Sequence, residues 1–439
     1  MKPGFKKSLV MAFAFVFISF SSAISLIPAG QEMWASPIVD IKLENGLKVL
    51  FEKDDSSKIT VLQFYIKGGK LSEDKNQQGL SYITTRLALE IPDRQKAQDF
   101  MLQATQFTMF CENDYSAVVV TCLSENLKDS LFLISDIMLN PLFSSIRIKR
   151  IKENMLNRDK IEQDISRNIA FRTVRDSLFK ETGYDGSVYG NEGSLKQINR
   201  KDITGYHERY FTSNNMGIVV STDLDKEIIT EYLNQCFSPL KTGPSFSHKE
   251  VTLPLIDKKR LQINRETKQT FISIGYRLPQ INRRDYIRAL MIENLVGKGI
   301  GSRLWPLREE KKLAYNVSAE VSYYRNGGML EALMETENLK KETALEAICD
   351  TLDSLYENGI DSQELEMTKE YTKASFLRSN ETKRARTATL AFFEIMEPGL
   401  DSFKNIFREI DSTGLEEINS YIQEILDPAH RIEVMIGPE

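Results

Sequence analysis

The chain has 439 residues, enough for two to three domains, and its 41% hydrophobic and 27% charged residues are those of an ordinary globular protein. A formal charge of −5 gives no global electrostatic case for nucleic acid. The three histidines, His207, His248 and His430, lie far apart, and Cys111, Cys122, Cys236 and Cys349 show no C-x-x-C spacing, which excludes a zinc knuckle and a thioredoxin-like motif.

The N-terminus reads as a secretory signal peptide. Lys2, Lys6 and Lys7 precede an apolar run from Leu9 to Phe20, and small residues follow around Ser21 to Ser25. The expected segment is 1–25, with cleavage after Ala23 or Ser25 and a later site near Ala35 as the outer limit. A single transmembrane anchor is the alternative reading. Losing the three lysines takes the formal charge from −5 to −8. The mature protein is then periplasmic or secreted, without stable membrane insertion. No disulfide framework is expected, because Cys111 and Cys122 fall too far out of step on neighbouring strands.

The mature chain opens with Ile41, Leu43, Leu47, Val49 and Phe51 alternating around Asn45-Gly46, a hairpin with a tight turn. A core strand, ITVLQFYIKGG, follows. From Gln77 to Leu89 the spacing of Leu80, Ile83 and Leu87 predicts a helix.

The order "NGL.V", strand, glycine-containing loop, then "GL" before a helix resembles the insulinase/pitrilysin family of zinc peptidases, of the mitochondrial-processing-peptidase-like kind. In that family the helix reads G-L-x-H-x-x-E-H: two histidines one turn apart bind zinc and the glutamate between them activates water. On the resemblance, Tyr82, Thr85 and Arg86 occupy those three positions here. A phenol, a hydroxyl and a guanidinium do not replace two imidazoles and a general base, and Arg86 repels a dication. The family's distal glutamate ligand falls near Arg158 to Asp164, where Glu162 stands without the other ligands. Tyr82 and Arg86 are therefore read as surface or interface residues, and no metal is expected in this chain.

Further on, Phe107 to Cys111 and Ala117 to Cys122 form a strand pair, and a helix covers Leu127 to Met138 with Ser124 at its N-cap. A long charged helix is expected over about Ser145 to Glu181, another helix begins at Asp202, and MGIVVSTDLD closes the first half as a strand. His207 is a surface or packing histidine.

A repeat is legible next. Ser124-Glu125-Asn126-Leu127-Lys128 returns 212 positions later as Thr336-Glu337-Asn338-Leu339-Lys340, and Ile203, Tyr206 and Val219 return 215 positions later as Ile418, Tyr421 and Val434. Such a period indicates duplication of a whole domain. The expected fold is α+β: two homologous halves, 37–237 and 255–439, each an antiparallel-rich sheet with helices on one side, joined by a linker over 238–254 that carries Pro239, Gly243, Pro244 and Pro254. A hinge is expected at that linker.

In the second half, strands from LQINRETKQTFISIGYRLP and a helix from Arg284 to Val296 lead to a turn with Gly297, Gly299 and Gly301. No G-K-[ST] follows, which argues against a nucleotide loop. A helix is expected from Ser302 to about Lys312, and Tyr315 opens the strand YNVSAEVSYY. The pattern glycine turn, "SRL…RE…LAY", resembles the family's second-domain signature. On that resemblance Arg308 and Tyr315 match an arginine–tyrosine pair that contacts substrate opposite the zinc, while Arg303 is a structural arginine. Read from the residues alone, Arg308 belongs to a solvated helix face and Tyr315 to a packed strand.

The resemblance implies a non-catalytic, substrate-binding subunit of an exported heterodimeric zinc peptidase. It would lend Arg308 and Tyr315 in trans to a zinc-bearing insulinase-family partner acting on unfolded peptides, with no activity alone. The alternative is an inactive structural or peptide-binding homologue.

Overall fold

The computed structural model describes residues 37–396 and 398–439, all within one compact unit, Met33–Glu439. The expected signal segment lies outside the described residues. No helix among the described residues is long and apolar enough to cross a membrane.

Strands β1 (Val39–Lys42) and β2 (Lys48–Lys53) form the expected hairpin, with Gly46 at φ +87° in its turn. The first half continues as β3 (Ile59–Lys67), α1 (Leu80–Ala88), α2 (Arg94–Leu102), β4 (Gln106–Cys111), β5 (Tyr115–Leu123), α3 (Leu127–Leu139), α4 (Ser145–Glu162) and α5 (Ser166–Leu178). It ends with α6 (Glu192–Gln197), α7 (Arg200–Tyr210), β6 (Met216–Thr222) and α8 (Lys226–Phe237). The second half runs β7 (Lys259–Asn264), β8 (Gln269–Leu278), α9 (Arg283–Gly297), α10 (Trp305–Glu309), β9 (Asn316–Tyr324), β10 (Gly327–Glu337) and α11 (Lys341–Asn358). Helices α12 (Ser362–Ser379), α13 (Lys383–Ile395), α14 (Gly399–Asp411) and α15 (Leu415–Ile425) lead to β11 (Ile432–Gly437).

The two sheets share one five-strand topology, to which the first adds β1 at its edge. The first is ordered β1-β2-β6-β3-β5-β4 and the second β7-β11-β8-β10-β9. In each, one parallel pair (β2 with β6, β7 with β11) is followed by three antiparallel pairings, and in the first sheet β1 adds a fourth, antiparallel to β2. The duplication is thus a repeat of architecture. The matches 215 positions apart hold in space: Ile203 and Ile418, and Tyr206 and Tyr421, are buried on α7 and α15. The match 212 apart does not. Strands β5 and β10 end 214 positions apart, at Leu123 and Glu337, so the two leucines fall at different places; Leu127 is fully buried and Leu339 is 98% exposed.

The long charged helix is broken in two. Helix α4 stops at Glu162, residues 163–165 turn, and α5 restarts at Ser166. The break redirects α5 onto the other half's sheet, against β8 and β11. Helix α13 does the same in reverse, lying on β3 and β6. Strand alternation shows that these are the second faces of both sheets. Leu62, Phe64 and Ile66 of β3 point into the first half's own core, whereas Tyr65 points into a core shared with Phe393 of α13. On β8, Ile272, Ile274 and Tyr276 face the second half's own helices, and Phe271 faces a cluster with Ala170, Val174 and Leu178 of α5. Gly275 allows that approach: a Cβ there would stand 2.1 Å from Val174 Cγ1. Each half therefore buries its helices on one sheet face and takes one helix from the other half on the opposite face.

The segment between the halves is tied to both of them. Ser213 N donates to Lys241 O at 2.9 Å, Asn326 Nδ2 to Lys249 O at 3.0 Å, and Lys258 N to Ala429 O at 2.8 Å. With α5 and α13 exchanged as well, the expected hinge has no free joint to turn about.

Candidate functional site

Helix α1 begins at Gly79, whose φ of +97° suits glycine. Glu73 takes the place of a capping side chain: its carboxylate accepts from Gly79 N at 2.8 Å, from Ser81 N at 2.7 Å and from the Ser81 hydroxyl. Burial pushes the Glu73 carboxyl up to about 7 against these bonds.

Positions 82, 85 and 86 do not form a metal site. The Tyr82 ring meets Tyr189 edge-on, with centroids 4.8 Å apart. Thr85 is fully buried and its hydroxyl donates back to Ser81 O at 2.9 Å. Arg86 turns along the helix to Glu90, Nη1 to Oε1 2.7 Å, and Glu90 also pairs with Arg150. Of the two residues read as surface or interface, Arg86 is partly exposed and Tyr82 is a cavity wall; Thr85 is core.

Glu162 does come to this place. It lies on α4 beside Arg158, Nε to Oε1 3.4 Å, and the Arg158 guanidinium stands 5.2 Å from the centre of the Tyr189 ring. The region that would hold a dication is thus lined by two phenols and a guanidinium, a donor set that does not fit zinc. Among the described residues no group of three or more His, Cys, Asp or Glu is placed to hold a metal ion.

These residues line a cavity of about 560 Å³. Its other walls are the end of β4 and the turn into β5 (Met109 to Tyr115), the start of α5, and Ser322 to Tyr324 of β9 with Phe392 of α13. The cavity therefore lies on the seam between the halves. Asp114 ties the seam: it accepts from the Tyr184 hydroxyl at 3.0 Å and from Arg325 N at 3.2 Å, while Asn326 N and Nδ2 donate to the same Tyr184 oxygen at 3.1 and 3.0 Å. Burial pushes the Asp114 carboxyl up to about 6.

Arg308 and Tyr315 lie elsewhere. After α9 the chain turns at Gly299, φ +85°, and folds back so that Arg303 N donates to Leu295 O and Leu304 N to Val296 O. The expected helix over 302–312 shortens to Trp305–Glu309. Glu310 N and Lys311 N both donate to Pro306 O, and Lys312 takes φ +54°, which ends the helix. Arg308 lies over the Trp305 ring at 5.0 Å and 3.7 Å from Glu309 Oε1, with two-fifths of its side chain exposed. Arg303 pairs with Glu364 through Nε and Nη2, each at 2.5 Å. Tyr315 is 53% exposed, anchored by its backbone N to Glu335 O at 2.8 Å. Neither Arg308 nor Tyr315 lines the seam cavity. Strand β9 separates them from it: at a rise of ~3.3 Å per residue, Tyr315 and Tyr323 are about 26 Å apart along the strand.

Two family models match this chain. The model described as insulinase (peptidase family M16) matches residues 48–192, and the one described as peptidase M16 inactive domain matches residues 197–371. The chain belongs to the insulinase family. This insulinase-family chain is 21% identical to an "uncharacterized zinc protease" of Bacillus subtilis, over 90% of its own length and 97% of that protein. It is also 21% identical to a "non-peptidase homolog" of Helicobacter pylori, over 85% and 88%. Its fold matches the crystal structure of a peptidase M16 inactive domain from Pseudomonas fluorescens, with a TM-score of 0.82 and 19% identity over 92% of this chain and 98% of that one. A chain of the complex III dimer of Candida albicans matches with a TM-score of 0.79 and 14% identity, over 91% and 96%. The protein is thus an insulinase-family homologue without the family's metal-binding residues.

The seam cavity and its wall residues Glu112, Asp114 and Tyr189 were not legible beforehand. Only the resemblance, which places the family's distal glutamate ligand near Arg158 to Asp164, pointed there, through Glu162.

Proposed function

We propose that the chain is the non-catalytic, substrate-binding subunit of an exported zinc peptidase, paired with an insulinase-family chain that carries H-x-x-E-H. The observation that carries this reading is the placement of Arg308 and Tyr315. Both are open to solvent on the second half, with β9 between them and the altered metal helix. Such a pair has nothing to act on within its own chain and is available to a second one. The exchanged helices support the same reading, because halves interlocked through α5 and α13 do not open and close around a substrate by themselves. An enclosed chamber then needs another chain.

In that role the Arg308 guanidinium holds a peptide carbonyl or carboxylate, and the Tyr315 hydroxyl donates to the oxygen that gains charge as the scissile amide is attacked. The test is hydrolysis of an unstructured fluorogenic peptide by this chain alone, by the H-x-x-E-H chain alone and by the mixture. Activity confined to the mixture, and lost in Arg308→Ala and Tyr315→Phe while the complex still forms, is the expected result.

A second reading, a structural subunit of a larger assembly, draws support from the likeness to a chain of complex III. It requires that both substitutions leave function unchanged.

A further inference from the structure

The first turns of α4 carry more aliphatic residues than the core takes. Ile148, Ile151 and Met155 are the helix's buried side, and Phe143, just before it, is buried against His207 with ring centroids 5.6 Å apart. Leu142 and Ile146 are left outside. They stand on either side of the Ser144 N-cap, 55% and 83% exposed. Ile146 shares a helix face with Lys149 and Arg150, three and four positions on, and both are exposed. A polar residue in place of Leu142 or Ile146 would serve folding as well.

The charge around the pair is positive. Residues 142–152 hold Arg147, Lys149, Arg150 and Lys152 and no acid, in a chain whose formal charge is −5. The segment leading into α2 adds Arg94 and Lys96. It is tied to α4 by the Arg147 guanidinium, which donates to the carbonyls of Glu90 at 3.4 Å and Pro92 at 2.5 Å. The carboxylates close by are taken: Glu90 by Arg86 and Arg150, Asp136 by Lys96, and Asp93 by the backbone N of Lys96 at 2.9 Å. Glu153 is exposed one turn further along α4. Among the described residues no carboxylate pairs with Arg94, Arg147 or Lys149.

Side chains as exposed as Leu142 and Ile146 project from the surface. A protein partner needs a recess shaped to receive them, whereas a bilayer surface needs none. Aliphatic tips enter the acyl boundary while lysine and arginine reach back to lipid phosphates, and each cation adds attraction to an anionic leaflet.

We propose that the first turns of α4 dock the protein on the surface of an anionic lipid bilayer, with Leu142 and Ile146 inserted and Arg94, Arg147, Lys149 and Arg150 on the lipid phosphates. Such docking needs no zinc-bearing partner and goes beyond the peptidase reading. It also leaves the seam cavity clear: Ile146 and Glu162, near opposite ends of α4, are about 24 Å apart at a rise of ~1.5 Å per residue.

The test is flotation with lipid vesicles of the compact unit from Met33 on, which lacks the apolar run Leu9 to Phe20 that would bind lipid by itself. Phosphatidylcholine vesicles with about one-third phosphatidylglycerol should hold it about tenfold or more tightly than phosphatidylcholine alone. That excess should vanish between about 0.05 and 0.5 M salt. The double variant Leu142→Ser, Ile146→Ser and the single variant Lys149→Glu should each weaken the binding about fivefold or more, with melting temperatures near that of the wild type. An environment-sensitive dye on the Ile146→Cys variant reads insertion, since the four native cysteines are buried. Its emission should move to the blue on the anionic vesicles and stay unchanged with poly-glutamate. Equal retention by the two kinds of vesicle would overturn the proposal. Poly-glutamate held as tightly as the anionic vesicles, with no blue shift on either, would overturn the bilayer in favour of an acidic protein partner. The wild-type comparison and its salt dependence stand even if a variant folds poorly.

Discussion

Arg386, on the helix that the second half lays over the first sheet, donates its Nε to Glu52 Oε1 at 2.8 Å, 334 positions away in sequence. Both side chains are more than nine-tenths buried. Glu52 Oε2 accepts from the Ser221 hydroxyl at 2.5 Å, and Arg386 also pairs with Asp54. One helical turn away Lys383 donates to the carbonyls of Asp54, Ser57 and Ile59 at 2.8 to 2.9 Å. Helix α13 is therefore held to the first sheet by charge as well as by apolar contact.

Truncating Arg386 leaves Glu52 buried without its counter-charge. Arg386→Ala should lower the unfolding free energy by about 3–5 kcal/mol, and the double variant Arg386→Met, Glu52→Gln by clearly less. Urea denaturation of the three proteins measures both quantities.

On the other crossover the contact is steric. Gly275→Ala puts a methyl 2.1 Å from Val174 Cγ1 in a packed layer, and a loss of about 1–3 kcal/mol is expected. Adding Val174→Ala removes the clash, so the double variant should be more stable than the sum of the two single losses. Such non-additivity across the seam identifies α5 as the helix that covers β8.

Glu331 makes the seam pH-sensitive. It is 3% exposed, accepts from the Ser273 hydroxyl at 2.9 Å, and is pushed up to about 7, by burial first. Because the folded value lies above the ordinary one near 4.5, the folded state holds the proton more tightly than the unfolded chain. The stabilisation is fully present below about pH 4.5 and is lost as pH rises through about 7. The loss is ~3 kcal/mol at 1.4 kcal/mol per pH unit. Glu331→Gln, whose amide oxygen still accepts from Ser273, should flatten that part of the stability profile. Chemical denaturation of both proteins between pH 4.5 and 8 would show it, and parallel profiles would contradict it.

Arg308 and Tyr315 make no such contribution. Arg308 rests on Trp305 at the surface, and Tyr315 is more than half exposed. Arg308→Ala and Tyr315→Phe should each change stability by no more than about 0.5 kcal/mol. Their melting temperatures are the control that allows any lost activity in the mixture to be assigned to function.

The loss of the metal site was legible from three side chains, because zinc ligation depends on residue type at short spacing and Tyr82, Thr85 and Arg86 fail on type alone. The expected helix over 302–312 shortened because the carbonyl of Pro306 took two donors and Lys312 adopted a positive φ, neither of which hydrophobic spacing reveals. The repeat was read at two offsets, and only the one of 215 aligned buried faces. A short polar string such as Ser-Glu-Asn-Leu-Lys recurs without reporting which way its leucine points.

By itself the sequence determined the strands, most helices, the duplication and the family. Each depends on local periodicity or on residue types a few positions apart. Tertiary structure alone decided that α5 and α13 trade sheets, that the place of the metal became an aromatic cavity with Glu112 at its wall, and that Arg308 and Tyr315 stand at the far end of β9 from it. Those outcomes depend on which apolar face finds which partner more than a hundred residues away. Hydrophobic pattern gives a face its direction and not the identity of the surface it meets.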